Sequence, residues 1–212
     1  MSQVILDLSA NTFKNDFSYV IQMMDEIKAI DTGKHQVIFK TQLFKSAPPN
    51  IPLDWSVFDS MYYYGKNLGY QVTSSVFDKE SLDFLLQYDV PFVKLANCED
   101  LDYLIGKVPR EIMLYISVDS LERRDYLLYR HTNFKTLACI SKYPATEKDY
   151  SENFGSCFNN FWYDGISDHT IGLNLFKTKE PNIWEKHYKL KDSTGLDAGE
   201  FAITPQQLAE VL

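Results

Sequence analysis

The sequence is short of the patterns that announce common activities. Its three cysteines, Cys98, Cys139 and Cys157, are an odd number with no CxxC pair, which speaks against a disulfide framework and a thiolate zinc site. All three read as structural or incidental. No GxGxxG or GxxxxGK[ST] run occurs, so neither a dinucleotide fingerprint nor a P-loop is available. No apolar run approaches the roughly 18 residues of a spanning helix. The opening "MSQVILDLSA" lacks the basic region and apolar core of a secretory leader. A cytoplasmic location without a membrane partner is the expectation. The net charge is −8 with no basic cluster, which argues against nucleic acid as a partner and leaves room for a small anion in a local pocket.

What the chain does have, over its 212 residues, is regular alternation. Eight short apolar runs alternate with stretches of helical period: "VILDLS" from Val4, "QVIFK" from Gln36, "YQVTSS" from Tyr70, "PFVKLA" from Pro91, "IMLYIS" from Ile112, "KTLACIS" from Lys135, "FWYDGIS" from Phe161 and "NIWEKHY" from Asn182. Helix signals lie between them. Asp16 precedes Phe17, Val20, Ile21, Met24 and Ile27 on one face. Asp54 is placed to cap a second helix that Gly69 ends, and Asp78 to cap a third whose Leu82, Leu85 and Leu86 face inward. Asp119 with Glu122 predicts a reciprocal cap, and Thr204, Pro205 and Gln207 a capping box with proline at the first helical position.

Eight strand–helix alternations with no hairpin signal and no low-complexity linker predict an α/β fold. Specifically, they predict a compact (β/α)8 TIM barrel forming one domain over residues 1–212, near the lower size limit for that fold. An open doubly wound sheet is the rival, without a phosphate loop to support it.

A barrel brings the polar residues at the C-terminal ends of its strands to one rim. These are Asp7 and Asn11, Lys40 and Gln42, Ser74 and Ser75, Lys94 and Asn97, Ser117, Ser141 and Tyr143, Ser167 to His169, and Glu185 with His187. Of the four histidines, His35 and His131 precede strands and belong to the opposite rim. His169 and His187 close neighbouring strands about 4.8 Å apart, so both imidazoles can reach one divalent ion at about 2.1 Å. That donor set suits manganese, iron, cobalt or zinc, and magnesium less. A single histidine or serine at a strand end is commonly a hydrogen-bonded structural residue, and either lysine alone could be a surface ammonium group. Convergence favours a site, because a lysine inside an apolar strand is costly to bury unless paired, and two on one rim imply an anionic ligand.

These residues carry a resemblance. "FKTQLF" at 39–44, "SSVFDKESLDFL" at 74–85, "VPFVKLA" at 90–96, "ISKYPAT" at 140–146, "ISDHT" at 166–170 and "EKHYKL" at 185–190 are similar, in order, to motifs of the sialic acid synthase (N-acetylneuraminate synthase) family. The similarity runs from about Val4 onward. It implies condensation of phosphoenolpyruvate with an amino-sugar aldose of the N-acetylmannosamine kind, giving a sialic-acid-like 2-keto sugar acid and phosphate. By carry-over, His169 and His187 would hold a metal, manganese first with magnesium or cobalt as alternatives. Lys40, Ser75, Lys94, Ser117 and Ser167 would hold phosphoenolpyruvate, joined on the substrate side by Gln42, Asn97, Ser141 and Asn11. Glu185, Asp7, Tyr143 and Asp197 would be the catalytic groups near metal, water and sugar, and a homodimer is compatible with the resemblance.

The chain departs from the family at several points. Asp7 stands for a glutamate, Ala138 for a histidine, Asn97 for a serine and Ser141 for an asparagine. Asn11, Thr12 and Phe13 stand where the family has Asn-His-Asn, and the expectation is a barrel that lacks the family's antifreeze-like C-terminal domain after Leu212. These departures motivate an alternative: a catalytically degenerate barrel that binds a phosphorylated metabolite or a partner protein. A Schiff-base lyase or aldolase is a third reading.

Overall fold

The computed structural model describes residues 1–127, 133–155 and 162–212. Eight parallel strands close into a barrel in sequence order. They are β1 (Gln3–Asp7), β2 (Gln36–Leu43), β3 (Gln71–Val76), β4 (Val93–Leu95), β5 (Leu114–Val118), β6 (Phe134–Cys139), β7 (Gly165–Asp168) and β8 (Ile183–His187). Pairing of β1 with β8, Val4 opposite Trp184, seals the ring. The expected barrel is therefore the observed fold. The helices are α1 (Ala10–Phe13), α2 (Phe17–Ile30), α3 (Trp55–Asn67), α4 (Lys79–Leu85), α5 (Asp102–Ile105), α6 (Leu121–Leu127), α7 (Glu147–Phe154), α8 (Asn174–Lys179) and α9 (Pro205–Leu208). Among the described residues, no helix is long and apolar enough to cross a membrane.

Strand alternation sorts the side chains into three regions. Outward-facing Val4, Leu6, Val37, Phe39, Val72 and Trp184 pack under helix residues such as Val20, Met24, Ile27, Phe58 and Leu82. Each large side chain buried this way contributes about 1.5–3 kcal/mol. Inward-facing Ile5, Ile38, Phe92, Tyr115, Leu137 and Ile183 plug the N-terminal half of the lumen, with the Phe92 and Tyr115 rings stacked 4.0 Å apart. Two residues further along the same strands come Asp7, Lys40, Lys94, Ser117, Cys139 and Glu185, and β7 adds Ser167. The lumen is thus closed below by an apolar floor and open above to a polar rim.

Most helix starts are where the sequence put them. Asp16 accepts from Ser18 N–H at 2.9 Å, Asp78 from Ser81 N–H at 2.7 Å, and Gln207 from Thr204 N–H at 2.9 Å. Two differ. Asp54 holds the cap position without a side-chain cap bond, and α6 is capped by Ser120, which accepts from Arg123 N–H at 3.2 Å, one residue after the expected Asp119. His35 sits at the N-terminal rim as expected, where its Nδ1 accepts from Ser2 N–H. His131, Cys157 and Phe161 lie outside the described residues.

Candidate active site

The polar rim is built from strand ends in register. Lys40 lies opposite Asp7, Ser75 opposite Lys94, and Ser167 opposite Glu185. The side chains follow that order. Lys40 Nζ donates to Asp7 Oδ2 at 2.7 Å and to Ser75 Oγ at 3.1 Å, and Gln42 Nε2 donates to the same Asp7 oxygen at 3.0 Å. Lys94 Nζ donates to Ser117 Oγ at 2.7 Å and lies 3.7 Å from Glu185 Oε1. Ser167 Oγ donates to Glu185 Oε1 at 2.8 Å.

Both ammonium groups are almost wholly buried, and their protonation follows their neighbours. Burial works against the charge on Lys40, but Asp7 and Glu185 outweigh it and raise its pKa. At Lys94 burial prevails over the pull of Glu185, and the pKa is lowered. Burial alone would raise Glu185; Lys94, Lys40 and the Ser167 hydroxyl instead hold it at about 2, so it is a carboxylate at any physiological pH.

His169 and His187 stand over this layer with ring centroids 5.7 Å apart. Two imidazoles sharing an ion at about 2.1 Å need centroids within roughly 6.5 Å. His169 Nδ1 lies 2.7 Å from the Ile140 carbonyl, which only accepts, so Nδ1 carries the proton and Nε2 the lone pair. Burial, and then the neighbouring His187, lower its pKa to about 3, which keeps that lone pair free. His187 Nδ1 is buried without a hydrogen-bond partner, as are Asp7 Oδ1 and Glu185 Oε2. Unsatisfied buried polar atoms are costly, and three in one rim leave it with donors and acceptors that a ligand could satisfy. Among the described residues no three His, Cys, Asp or Glu side chains form a metal cage. The two imidazoles are the donors in this rim that would hold an ion.

A cavity of about 380 Å³ opens beside His187, lined by Gln42, Asn50, Asp197 and Tyr143 and by an apolar wall of Phe44, Phe77 and Phe201. The Tyr143 ring lies 4.1 Å from that of His169 and 5.1 Å from that of Phe201. Asp197 comes from the loop after β8. Ser9 and Asn11 Nδ2 both donate to its Oδ2, the latter at 2.8 Å. Gly195 makes this possible, with φ +118° and a Cα so close to Asn11 that a Cβ would sit 1.8 Å from the Asn11 carbonyl oxygen.

The structure thus brings Asp7, Lys40, Gln42, Ser75, Lys94, Ser117, Ser167, Glu185 and the two histidines to one rim, with Tyr143 and Asp197 at its mouth. Asn11 is a bracket beyond the end of β1, since its side chain also bonds Asn50 Oδ1 and Ile51 N–H. Asn97 and Ser141 bond each other at 3.2 Å, in the loops after β4 and β6. Ser74 points outward to Thr41, and Asp168 points outward to Trp184.

One residue of the rim escaped the sequence reading. Cys139, taken as structural or incidental, is buried in the lumen with Sγ 4.0 Å from His169 Nδ1. Burial pushes its thiol up to about 11, so it is protonated. Its place two residues after inward-facing Leu137 was the available signal. Ala138, by contrast, faces outward against Tyr150, Phe154 and Ile166, so this departure from the family lies outside the lumen.

Comparison with known proteins agrees with the fold. The NeuB family model matches residues 31–212, which leaves Asp7 and Asn11 resting on the fold. N-acetylneuraminate-9-phosphate synthase of Drosophila melanogaster is 23% identical over 158 residues, 68% of this chain; the chain spans only 42% of that relative's length. A solved N-acetylneuraminic acid synthetase of Leptospira borgpetersenii superposes with a TM-score of 0.79 at 19% identity, over 98% of this chain and 80% of the other. Phospho-2-dehydro-3-deoxyheptonate aldolase of Thermotoga maritima gives 0.67 at 8% identity, over 99% and 67%. At these identities the structures share the fold. Because the family model covers the chain from residue 31 to its last residue, the chain belongs to the NeuB family.

Proposed function

We propose that this barrel condenses phosphoenolpyruvate with an amino-sugar aldose to give a sialic-acid-like 2-keto sugar acid and phosphate, with a divalent ion, manganese first, at His169 and His187. The observation that carries the reading is the meeting of two buried lysines with two converging imidazoles on one rim. Lysines of this kind suit a multiply charged anion, and His187 lines the cavity that Tyr143 and Asp197 share. The named activities of the relatives are consistent with it.

Lys40, Lys94, Ser75 and Ser117 hold and orient the phosphoenolpyruvate carboxylate and phosphate, which fixes the enol carbon as nucleophile. The aldose lies in the adjoining cavity, its hydroxyls meeting Asp7, Gln42 and Asp197 and its apolar face meeting the aromatic wall. An ion on the two imidazoles supplies Lewis-acid polarisation of the aldehyde oxygen. Attack by the enol carbon on the aldehyde carbon leaves a positive centre on the carbon bearing phosphate. Water adds there and Glu185, ionised and with Oε2 free, takes one of its protons and passes it to the alkoxide left on the former aldehyde oxygen; the carbon–oxygen bond to phosphate then breaks, the remaining hydroxyl proton goes to the departing phosphate, and the 2-keto group forms.

The test is phosphate release from phosphoenolpyruvate with manganese and N-acetylmannosamine, run beside His169→Ala. Metal-dependent release with a 2-keto acid product supports the proposal. Binding of ion and phosphoenolpyruvate without release across a panel of amino-sugar aldoses rejects it in favour of a non-catalytic binding barrel. That second reading draws on the charge balance of the rim, where Asp7 and Glu185 already offset both lysines.

A further inference from the structure

Two charges buried just outside the lumen are left over by this chemistry. Asp168 and Lys186 are register partners on β7 and β8. Their side chains are both 0% exposed, and Lys186 Nζ is 3.2 Å from Asp168 Oδ1. Each immediately precedes one of the two rim histidines. The same Asp168 oxygen accepts from Thr170 N–H and from Thr170 Oγ1, both at 2.7 Å. Asp168 Oδ2 accepts from Trp184 Nε1 at 2.9 Å, and Lys186 Nζ donates to the Thr170 carbonyl at 2.6 Å. The bonds close a ring from the turn after β7, through the outer face of the sheet, to β8.

Such a pair is a poor source of stability, because desolvating two charges offsets most of their attraction, and apolar residues in the same layer would serve as well. What it supplies is register and orientation. Asp168 and Lys186 neutralise each other only in the observed pairing; a slip of one residue would leave both charges buried and alone. The same alternation that turns Lys186 outward turns His187 inward. His169 lies beyond the end of β7, so its direction is set by the turn at 168–170, which Asp168 closes through Thr170. Tyr150 reinforces that turn from behind, donating to the Ser167 carbonyl at 2.5 Å and accepting from His169 N–H at 3.3 Å.

We propose that Asp168 and Lys186, with Trp184 and Thr170, are positioning residues for the two imidazoles: they hold the β7–β8 register and the turn after β7 so that His169 and His187 converge on one divalent ion. The proposal rests on the reading of the two imidazoles as an ion-binding pair. Neither charge touches substrate, so its loss acts through the ion site and spares the lysine half of the rim.

The experiment titrates the full chain with cobalt(II), followed by its visible absorption, and with manganese(II), followed by the paramagnetic resonance of the free ion. It compares wild type, His187→Ala, Lys186→Met, Lys186→Arg, Trp184→Phe and Thr170→Val. Phosphoenolpyruvate binding without metal is measured in parallel. A group bonded directly to a ligating histidine is worth about 10–100-fold in metal affinity; Lys186 acts one step further out, through Asp168 and Thr170, so a fall of about tenfold is expected for Lys186→Met, and Lys186→Arg recovers most of it. Phosphoenolpyruvate affinity stays within about threefold, since Lys40 and Lys94 lie on β2 and β4. Should Lys186→Met fail to fold, Trp184→Phe and Thr170→Val each remove one bond to Asp168 at nearly constant shape, and each weakens ion binding severalfold.

Folded variants that bind the ion as tightly as wild type overturn the positioning role while leaving the ion site standing. The same holds for variants that lose phosphoenolpyruvate in equal measure. A wild type whose ion binding is untouched by His187→Ala overturns the ion site and this proposal together.

Discussion

Gly195→Ala separates the two halves of the site. The alanine Cβ would lie 1.8 Å from the Asn11 carbonyl oxygen, whereas Cβ atoms essentially never come closer than 3.0 Å, so the loop must withdraw by about 1.2 Å. The obstacle is backbone and cannot swing aside. Alanine must also adopt φ +118°, which costs on the order of 1–3 kcal/mol. The segment that moves carries Asp197 and its bonds to Ser9 and Asn11, whereas the lysines and serines on β2 to β5 are untouched. A displacement near 1 Å in a substrate-positioning group lowers turnover by up to about a hundredfold. The expected result is a fall of about 10–100-fold in kcat/KM for the aldose, with phosphoenolpyruvate affinity within about threefold of wild type. Steady-state kinetics with the aldose varied, and equilibrium binding of phosphoenolpyruvate, read the two separately. Unchanged aldose kinetics in a folded variant, or equal loss for both substrates, would refute the assignment of Asp197 to the sugar side.

Three further expectations follow from single contacts. Lys94→Met removes the main attraction holding Glu185 at about 2, and burial then drives that carboxyl upward; carbon-13 titration of labelled glutamate reads the rise, and phosphoenolpyruvate binding weakens at least about thirtyfold. A Glu185 still near 2 would show that another group sets its charge. Gly165→Ala places a Cβ 2.3 Å from the Ile183 carbonyl oxygen and forces β7 from β8. A loss of about 3 kcal/mol or more, or about 8 °C in Tm for a chain of this size, is expected, and an unchanged melting curve would contradict it.

Asp149 caps α7. The Thr146 hydroxyl and backbone, then Lys142, lower its pKa from 3.8 to about 2. A depressed folded pKa gives stability that is present above the unfolded value and lost as pH falls through the folded one. The Tm deficit of Asp149→Asn should therefore be constant above about pH 5, shrink as pH falls through the folded value near 2, and vanish toward about pH 1. A deficit undiminished at about pH 1 would exclude the charge as its origin.

The sequence alone determined the architecture, and for a local reason. Eight apolar runs of strand length separated by helical period leave few ways to bury both faces of a parallel sheet, and caps such as Asp16 and Asp78 are written within a few residues of the helices they start. Lys40, Lys94, His169 and His187 were legible because their residue types are out of place at strand ends in an apolar setting. Which face each neighbour takes was decided only by the closed barrel. Asp168 and His169 are adjacent in the chain, yet one is buried outside the sheet against Lys186 and the other stands over the lumen. Cys139 looked inert and lies in the rim, Ala138 looked like a lost site residue and lies outside it, and Asn11 is spent on holding Asp197 through a contact that spans 186 residues of sequence. Periodicity is a property of a few consecutive residues and can be read from them; convergence is a property of register and closure, which appear only when the last strand meets the first.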